Sequence, residues 1–204
     1  YPSIKFAISD VVGEQKDLVV ATENMSKPDG DNLANLKFGH ILTKINFSYK
    51  PADGNYAYTI SNIKITGVKG GNATYTYANT VEAGSWSGGT DVASGYMYVP
   101  EIASSAEANG YYKLDNNDGS LMLLPQTFTE SSAKIEITYK TEKNGVTFFD
   151  GKKSVTIPTD SKWEIGKSVR YQLTLPVGAD EIKLTTKVSE WTESLSEHTT
   201  DTTK

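Results

Sequence analysis

The 204-residue sequence has no cysteine and only two histidines, and each shortage removes classes of function. Without cysteine there is neither a disulfide framework nor a thiolate metal site. With His40 and His198 as its only histidines, the chain lacks residues that Ser-His-Asp, Cys-His and His-rich metal sites require. We expect His40 to be an ordinary packed or surface residue. A carboxylate pair that could serve a glycosidase cannot be recognised in a sequence. We therefore predict no enzyme activity, no cofactor and no metal site.

Long apolar runs and an excess of positive charge are also missing. No run approaches the roughly 18 apolar residues that cross a bilayer. The formal net charge of -5 disfavours nucleic acid as a partner, because phosphate binding needs clustered Lys and Arg. The sequence starts at Tyr1 without a basic-then-apolar export segment. We expect that a leader has been removed or that the sequence begins downstream of one.

What the sequence does contain is a β-strand pattern. Thr, Val, Ile and Tyr recur at period two between Gly-containing turns. Residues 36–49 form a long strand segment, and residues 56–66 are expected to continue it or to pair with it. Residues 167–176 and 181–191 predict a closing hairpin with a bulge or a local change of sheet near Ser189. Asn144-Gly145 favours a type I′ turn, and residues 100–109 favour one or two helical turns.

Two strand-rich blocks follow one another along the chain, separated by a stretch rich in Gly, Ser and Asn. They predict an all-β fold of two Greek-key β-sandwich domains in tandem. The domains are expected at residues 1–114 and 115–191, with the boundary between residues 110 and 120. Residues 192–204 form a polar tail with little to bury.

Two further features allow binding sites of other kinds. The acidic turns at residues 29–32 and 115–119 lack the ligand spacing of a calcium loop and are interpreted as turns. Trp86, Tyr96 and Tyr98 lie in the Gly-rich middle of the chain, where exposed rings could stack on sugars. The alternative for such rings is packing between strands.

Several local motifs occur in an order typical of one known family. The motifs are Asp17-Leu18-Val19-Val20-Ala21, Phe38 to Phe47, Leu124-Pro125-Gln126, Ile135 to Tyr139, Trp163-Glu164-Ile165-Gly166-Lys167, Tyr171-Gln172-Leu173-Thr174-Leu175 and Val188-Ser189-Glu190-Trp191. Over residues 17–191 the chain resembles the fimbrillin-like (Mfa-like, type V pilin) family of Bacteroidetes surface lipoproteins.

This resemblance implies transthyretin-like sandwiches in a fimbrial stalk, tip or anchor subunit, or a fimbria-associated adhesin. It implies an exported lipoprotein of the outer membrane whose lipid anchor lies upstream of Tyr1. Such subunits assemble when an amino-terminal strand is removed by proteolysis and a partner's strand takes its place. The implied partners are other fimbrial subunits, of the same or another kind, and a host protein or glycan.

Strand exchange also has a physical basis, because a sheet edge that loses a strand exposes unpaired backbone groups above an apolar groove. Ile4, Phe6 and Ile8 alternate with polar or small residues and are the candidates for the exchanged strand. If the carboxyl end donates instead, the candidates lie in one phase of the last strand: Ile182, Leu184 and Val188.

The processing site is expected at Lys16, because Arg170 is the only arginine and lies inside a predicted strand. The alternative function is a glycan-binding surface lipoprotein that does not polymerise. A shared open face for Trp86, Tyr96 and Tyr98 would favour that alternative, and burial of these rings would favour the fimbrial hypothesis.

Overall fold

The computed structural model describes residues 1–22, 36–115, 120–130 and 132–192, and these form an all-β structure. A short 3-10 turn over Val12–Glu14 follows the first strand. The strands of the described ranges are β1 Ser3–Ile8, β2 Val19–Ala21, β3 Phe38–His40, β4 Thr43–Pro51, β5 Ala57–Thr66, β6 Lys69–Thr76, β7 Ser85–Asp91, β8 Tyr96–Tyr98, β9 Tyr112–Lys113, β10 Leu121–Leu123, β11 Gln126–Thr127, β12 Lys134–Lys143, β13 Val146–Thr156, β14 Lys162–Trp163, β15 Lys167–Leu175 and β16 Lys183–Glu190.

Two larger sheets make up the body of the protein. Sheet 1 has the order β10-β4-β15-β16, and β9 also pairs with β4. Its two central strands, β4 and β15, are parallel, whereas its other pairs are antiparallel. Sheet 2 has the antiparallel order β13-β12-β5-β8.

A smaller sheet 3, of order β1-β6-β7, lies beside these two sheets. Strands β2 and β3, and strands β11 and β14, form two further short antiparallel pairs.

Sheets 1 and 2 enclose the main hydrophobic core. Alternate side chains of β4 and β15 in sheet 1, such as Phe47 and Tyr171, are fully buried. They belong to the same buried cluster as Ile63 of β5 and Ile137 of β12 in sheet 2. Two sheets that bury one face each against a shared core form a β-sandwich.

The predicted division into domains 1–114 and 115–191 does not follow the strand pairing. In sheet 1, β4 pairs with β15 from the second half of the chain. In sheet 2, β5 pairs with β12 from the second half. Both sheets therefore contain strands from each side of residue 114, and the core is shared by both halves. The strand arrangement supports the predicted all-β sandwich class.

Local expectations have mixed outcomes. Most of residues 56–66 form strand β5, Ala57–Thr66. However, β5 pairs with β12 and β8, so the expected continuation of the preceding strand or pairing with it is wrong. Residues 100–109 form no helix. Their backbone instead bonds along residues 111–115, as in Ala103 N–H to Lys113 O at 3.1 Å. In the ranges that the structure describes, no helix has the length and apolarity to cross a membrane.

Both predicted hairpins are confirmed. Asn144 and Gly145 join β12 to β13 with φ angles of 51° and 77°, the positive values that a type I′ turn requires. β15 and β16 pair antiparallel, from Lys167 opposite Glu190 to Thr174 opposite Lys183. This register runs without interruption in one sheet, so both the bulge and the change of sheet considered near Ser189 are wrong. Trp191 is buried because it lies beyond the end of the strand.

Candidate functional site

The first strand lies at the edge of its sheet. β1 pairs antiparallel with β6, with Ile4 opposite Tyr75 and Phe6 opposite Ala73, and it has no second strand neighbour among the described residues. Directly opposed residues in an antiparallel pair share a face. The apolar row of β1 therefore points to the same side as the buried residues of β6.

The three apolar side chains of β1 reach two separate parts of the core. Ile8 is 4% exposed and belongs to the main cluster, against which Phe6 also packs. Ile4 packs against a second, smaller cluster that includes Tyr75 and Val81. The structure thus brings these three predicted residues together on one edge strand whose other face is exposed.

The segment that follows β1 is exposed at Lys16 but attached on either side of it. Gln15 receives a hydrogen bond from the backbone N–H of Met122 at 2.9 Å and donates one to Ser9 O at 3.1 Å. Asp17 Oδ2 lies 2.7 Å from Nδ1 of His40. The predicted processing residue is therefore accessible to solvent, but it is held between two anchored neighbours.

A groove of 560 Å³ begins where β1 begins. Ile4, Ala21 and Tyr77 line it together with Tyr1, Pro2, Ser3, Thr22 and Ala78. The Tyr1 hydroxyl donates to Asn79 Oδ1 at 2.8 Å, and the Tyr77 N–H donates to Pro2 O at 3.0 Å. These bonds fix the start of β1 against the residues that follow β6.

The carboxyl-terminal candidates differ from one another in burial. Ile182 is 7% exposed and lies just before β16, Leu184 is half-buried, and Val188 is 55% exposed. Val188 lies opposite buried Val169 and therefore faces the core side of sheet 1. The apolar row of β16 is consequently covered at its start and open at its end.

The three aromatic candidates do not share an open face. Trp86 is half-buried in sheet 3, and its Nε1 donates to Ile41 O at 2.6 Å. Tyr96 and Tyr98 belong to sheet 2, where Tyr96 is fully buried and the Tyr98 hydroxyl donates to Leu114 O at 2.6 Å. These rings pack between strands instead: Tyr96 is fully buried, and Trp86 and Tyr98 are half-buried and donate to backbone carbonyls.

Burial also governs the chemistry of these phenols. It raises the pKa of Tyr96 to about 12, and the charge of Asp10 adds to the effect. Burial raises the pKa of Tyr98 as well, with Asp115 adding to the shift and Arg170 opposing it. Both hydroxyls are neutral near pH 7 and act as buried polar groups.

The other sequence candidates form no reactive cluster. His40 packs flat on Trp191 and pairs with Asp17, so it is a packed residue. Among the described residues, no three His, Asp or Glu side chains are placed to hold a metal ion. The acidic turn at 29–32, residues 116–119 of the second turn and His198 lie outside the described residues.

Sequence reasoning missed the buried polar row of sheet 1. Asn46, Ser48 and Gln172 are 4%, 0% and 2% exposed, although they lie on the side of β4 and β15 that faces away from the core. The sequence does contain a signal for this polar row. Polar residues at 44, 46, 48 and 50 alternate with apolar ones, which places them on one face of the strand.

Comparison with known structures finds the same fold in a fimbrial protein and in a cell adhesion protein of Bacteroides species. A fimbrial protein from Bacteroides vulgatus ATCC 8482 superposes with a TM-score of 0.73 and 16% identity, over 94% of this chain and 68% of that one. A candidate cell adhesion protein from Bacteroides uniformis ATCC 8492 superposes with a TM-score of 0.54 and 15% identity, over 93% of this chain and 66% of that one. The chain thus spans about two thirds of the length of these proteins. At such identities the likeness shows a shared fold.

The sequence itself gives the family. No curated protein is significantly similar to this chain. The model of the fimbrillin-like family, in contrast, matches residues 5–191, which includes every described strand except the first two residues of β1. The protein therefore belongs to the fimbrillin-like family.

Proposed function

We propose that this protein is a fimbrial subunit or fimbria-associated adhesin that assembles at the cell surface by exchange of β1. The observation that carries the proposal is the position of β1: an edge strand whose Ile4, Phe6 and Ile8 fill both hydrophobic clusters. An exposed lysine, Lys16, follows it in the connection to β2. Family membership supports a place at the cell surface.

The energetics of β1 suit an exchangeable element. Its departure would leave one edge of β6 unpaired from Gly71 to Thr76, above the space vacated by three apolar side chains. Such an edge recruits an extended segment with matching alternation. Each apolar side chain contributes roughly 1.5 to 3 kcal/mol when fully buried, so an incoming strand with the same pattern recovers most of what was lost.

The proposed partners are other fimbrial subunits, identical or different, which would supply that incoming strand. The proposed location is the outer membrane, with attachment through a lipid anchor upstream of Tyr1, as the family resemblance implies. Glycan binding through Trp86, Tyr96 and Tyr98 is not favoured, because these rings are engaged inside the sandwich.

A disulfide lock tests the exchange of β1 directly. Ala7 and Asn72 are both exposed and lie opposite each other in the β1–β6 pair, and the chain has no other cysteine. In the variant Ala7→Cys/Asn72→Cys, oxidation would tie β1 to β6, and reduction would free it. The readout is uptake of a fluorescent peptide of residues 1–10 after a lysine-specific protease has cut the chain.

Uptake is expected in the reduced protein and not in the oxidised one. The matched control for the cut is Lys16→Gln, which should lose the cleavage that precedes uptake. A control peptide with Phe6→Asp should not enter, since a charge would be placed in the core. Equal uptake by locked and unlocked protein, or no uptake by the cut and reduced protein, would contradict the proposal.

A further inference from the structure

Most charged side chains on the outward side of sheet 1 are positive. Alternate residues of β4, β15, β16 and β9 point away from the core, as their register with buried neighbours requires. The cations of this surface, here called the basic face, are Lys44, Lys50, Lys113, Arg170, Lys183 and Lys187. In a chain of net charge -5, they form a local positive surface.

Only small or amide side chains lie between these cations in β4, β15 and β16. They are Asn46, Ser48, Ser168, Gln172, Thr174, Thr185 and Ser189. The outward rows of these three strands hold no carboxylate, aromatic ring or aliphatic side chain. Because Asn46, Ser48 and Gln172 are buried, the accessible part of the basic face consists of its cations and the hydroxyls of Ser168, Thr174, Thr185 and Ser189, with little apolar surface.

Acidic groups at its border neutralise only part of the charge. Arg170 pairs with Asp115 at 3.2 Å, and Lys113 lies 3.8 Å from Glu107. Asp180 and Glu181 lie near Lys50 and Lys183 at one end of the face. Within the described part of the chain, no ion pair within 4 Å involves Lys44, Lys50, Lys183 or Lys187.

The basic face has two shallow depressions. One, of 420 Å³, is lined by Lys44, Lys113 and Arg170 and also by Asp115 and Glu190, whose carboxylates offset part of the positive charge. The other, of 440 Å³, is lined by Lys50, Thr174 and Lys183 with Tyr111. From residue 44 to residue 50 strand β4 extends about 20 Å, so the two depressions are within reach of one elongated ligand.

Two buried polar atoms between the depressions lack partners. Gln172 lies beside Ser48 in the pairing of β15 with β4. Neither Gln172 Nε2 nor the Ser48 hydroxyl makes a hydrogen bond in the described structure. A buried donor without a partner is uncommon and calls for a physical reason. A bound anionic oxygen would give these two groups a hydrogen-bond acceptor once the longer side chains around them move aside.

We propose that the basic face binds a linear sulfated polysaccharide. Sulfate groups carry the charge that the unpaired lysines match, and sugar hydroxyls match the accessible hydroxyl side chains between them. A flat sheet surface with cations spread over about 20 Å fits an extended chain better than a small anion. This ligand class goes beyond the proposed assembly by strand exchange and does not depend on it, because β1 lies in sheet 3.

Two other polyanions fit the surface less well. Single-stranded nucleic acid binds through bases stacked on aromatic rings, and the outward rows of β4, β15 and β16 provide none. The two rings that line the depressions are already engaged, because Lys50 lies over Tyr111 and His40 is stacked on Trp191. A membrane surface would be held by apolar side chains inserted beside the cations, which these rows also lack. An acidic protein remains as an outcome of the test.

The experiment measures binding of the intact monomer to heparin as the sulfated probe. The test variant is Lys44→Gln/Lys183→Gln/Lys187→Gln. The control, Lys64→Gln/Lys140→Gln/Lys152→Gln, changes the net charge equally, but on the exposed surface of sheet 2, where Lys140 and Lys152 pair with Glu142 and Glu136. Thermal melting verifies that both variants fold.

Heparin is expected to bind the unaltered protein with an affinity that falls as salt rises. The test variant should bind at least about tenfold more weakly, and the control variant should stay within about twofold. Absence of binding, or equal weakening in both variants, would overturn the proposal. Equal affinity for polyglutamate or for single-stranded DNA would also overturn it, because the face would then recognise charge alone.

Discussion

His40 and Trp191 lie face to face, with ring centroids 3.9 Å apart and planes inclined by 5°. His40 ends strand β3, and Trp191 follows the last strand, so the stack joins distant parts of the chain. Asp17 extends the contact through its 2.7 Å pairing with His40, and Lys44 Nζ lies 5.5 Å from the centre of the indole ring. The carboxyl end of the described chain is thereby fixed beside the segment that follows β1.

The first prediction concerns removal of the Trp191 ring. Trp191→Ala should lower the free energy of unfolding by about 3 to 5 kcal/mol, because it removes a large side chain that is 7% exposed. Urea denaturation of the monomer measures this change. Val188→Ala is the matched control, since Val188 is 55% exposed and should change the free energy by less than about 0.5 kcal/mol. Equal effects would show that the stack is not part of the packed core.

Removal of the Tyr96 hydroxyl and removal of the Tyr98 hydroxyl should have different effects on the free energy of unfolding. The Tyr96 hydroxyl is buried and has no hydrogen-bond partner among the described residues, whereas the Tyr98 hydroxyl donates to Leu114 O. Tyr96→Phe should therefore leave the free energy of unfolding unchanged or raise it by about 1 kcal/mol. Tyr98→Phe should lower it by about 1 kcal/mol. Denaturant midpoints compare the two, and a larger loss for Tyr96→Phe would contradict this assignment.

Alkaline pH should destabilise the fold through its buried phenols. Burial raises the pKa of Tyr96 and that of Tyr171 to about 12, from an ordinary value of 10.0. A pKa raised in the folded state favours the neutral phenol there. This contribution to stability is fully present below pH 10 and is lost as the pH rises towards 12.

Denaturation at a series of pH values measures that loss. Tyr96→Phe should reduce the fall in the free energy of unfolding above about pH 10, because one buried titrating group is gone. Tyr1→Phe is a control, since Tyr1 is 78% exposed and should leave the pH profile unchanged. An identical alkaline profile for Tyr96→Phe and the unaltered protein would contradict the role given to burial.

Substitutions in and next to strand β16 can distinguish a role in folding from a role as the donated strand. Ile182→Asp should unfold the monomer, because Ile182 belongs to the main buried cluster. Val188→Asp should be tolerated, since its side chain is 55% exposed. If β16 is the donated strand, Val188→Asp should still abolish the ladders that assembled subunits give on gels. Unchanged ladders from a folded Val188→Asp protein would exclude this strand as donor.

Several local sequence patterns predicted the local structure correctly, although residues 100–109 form no helix. The alternation of Ile4, Phe6 and Ile8 predicted one apolar face, and Asn144-Gly145 predicted its turn, because both features depend only on residues near in the chain. The closing hairpin was predictable for the same reason, since its strands are separated by a short turn.

Long-range pairing was not predictable in this way. β4 has polar and apolar residues in alternation, and many strands could pair with it; the parallel partner β15 is decided by the shared core. Residues 56–66 were correctly expected to be a strand, but their strand crosses to the other sheet. Similarly, Tyr96 and Tyr98 are aromatic residues in a Gly-rich stretch, and only packing shows that they face inward.

By itself, the sequence determined the strand-rich class, the tight turns and the family, because these follow from residue periodicity and short motifs. Tertiary structure alone decided which strands are edges, which rings are buried and which lysines share a face. Arg170 and Asp115 are far apart in the chain, yet they meet at 3.2 Å because β9 and β15 both pair with β4. Such neighbours are set by the free energy of packing the whole core, which no local segment contains.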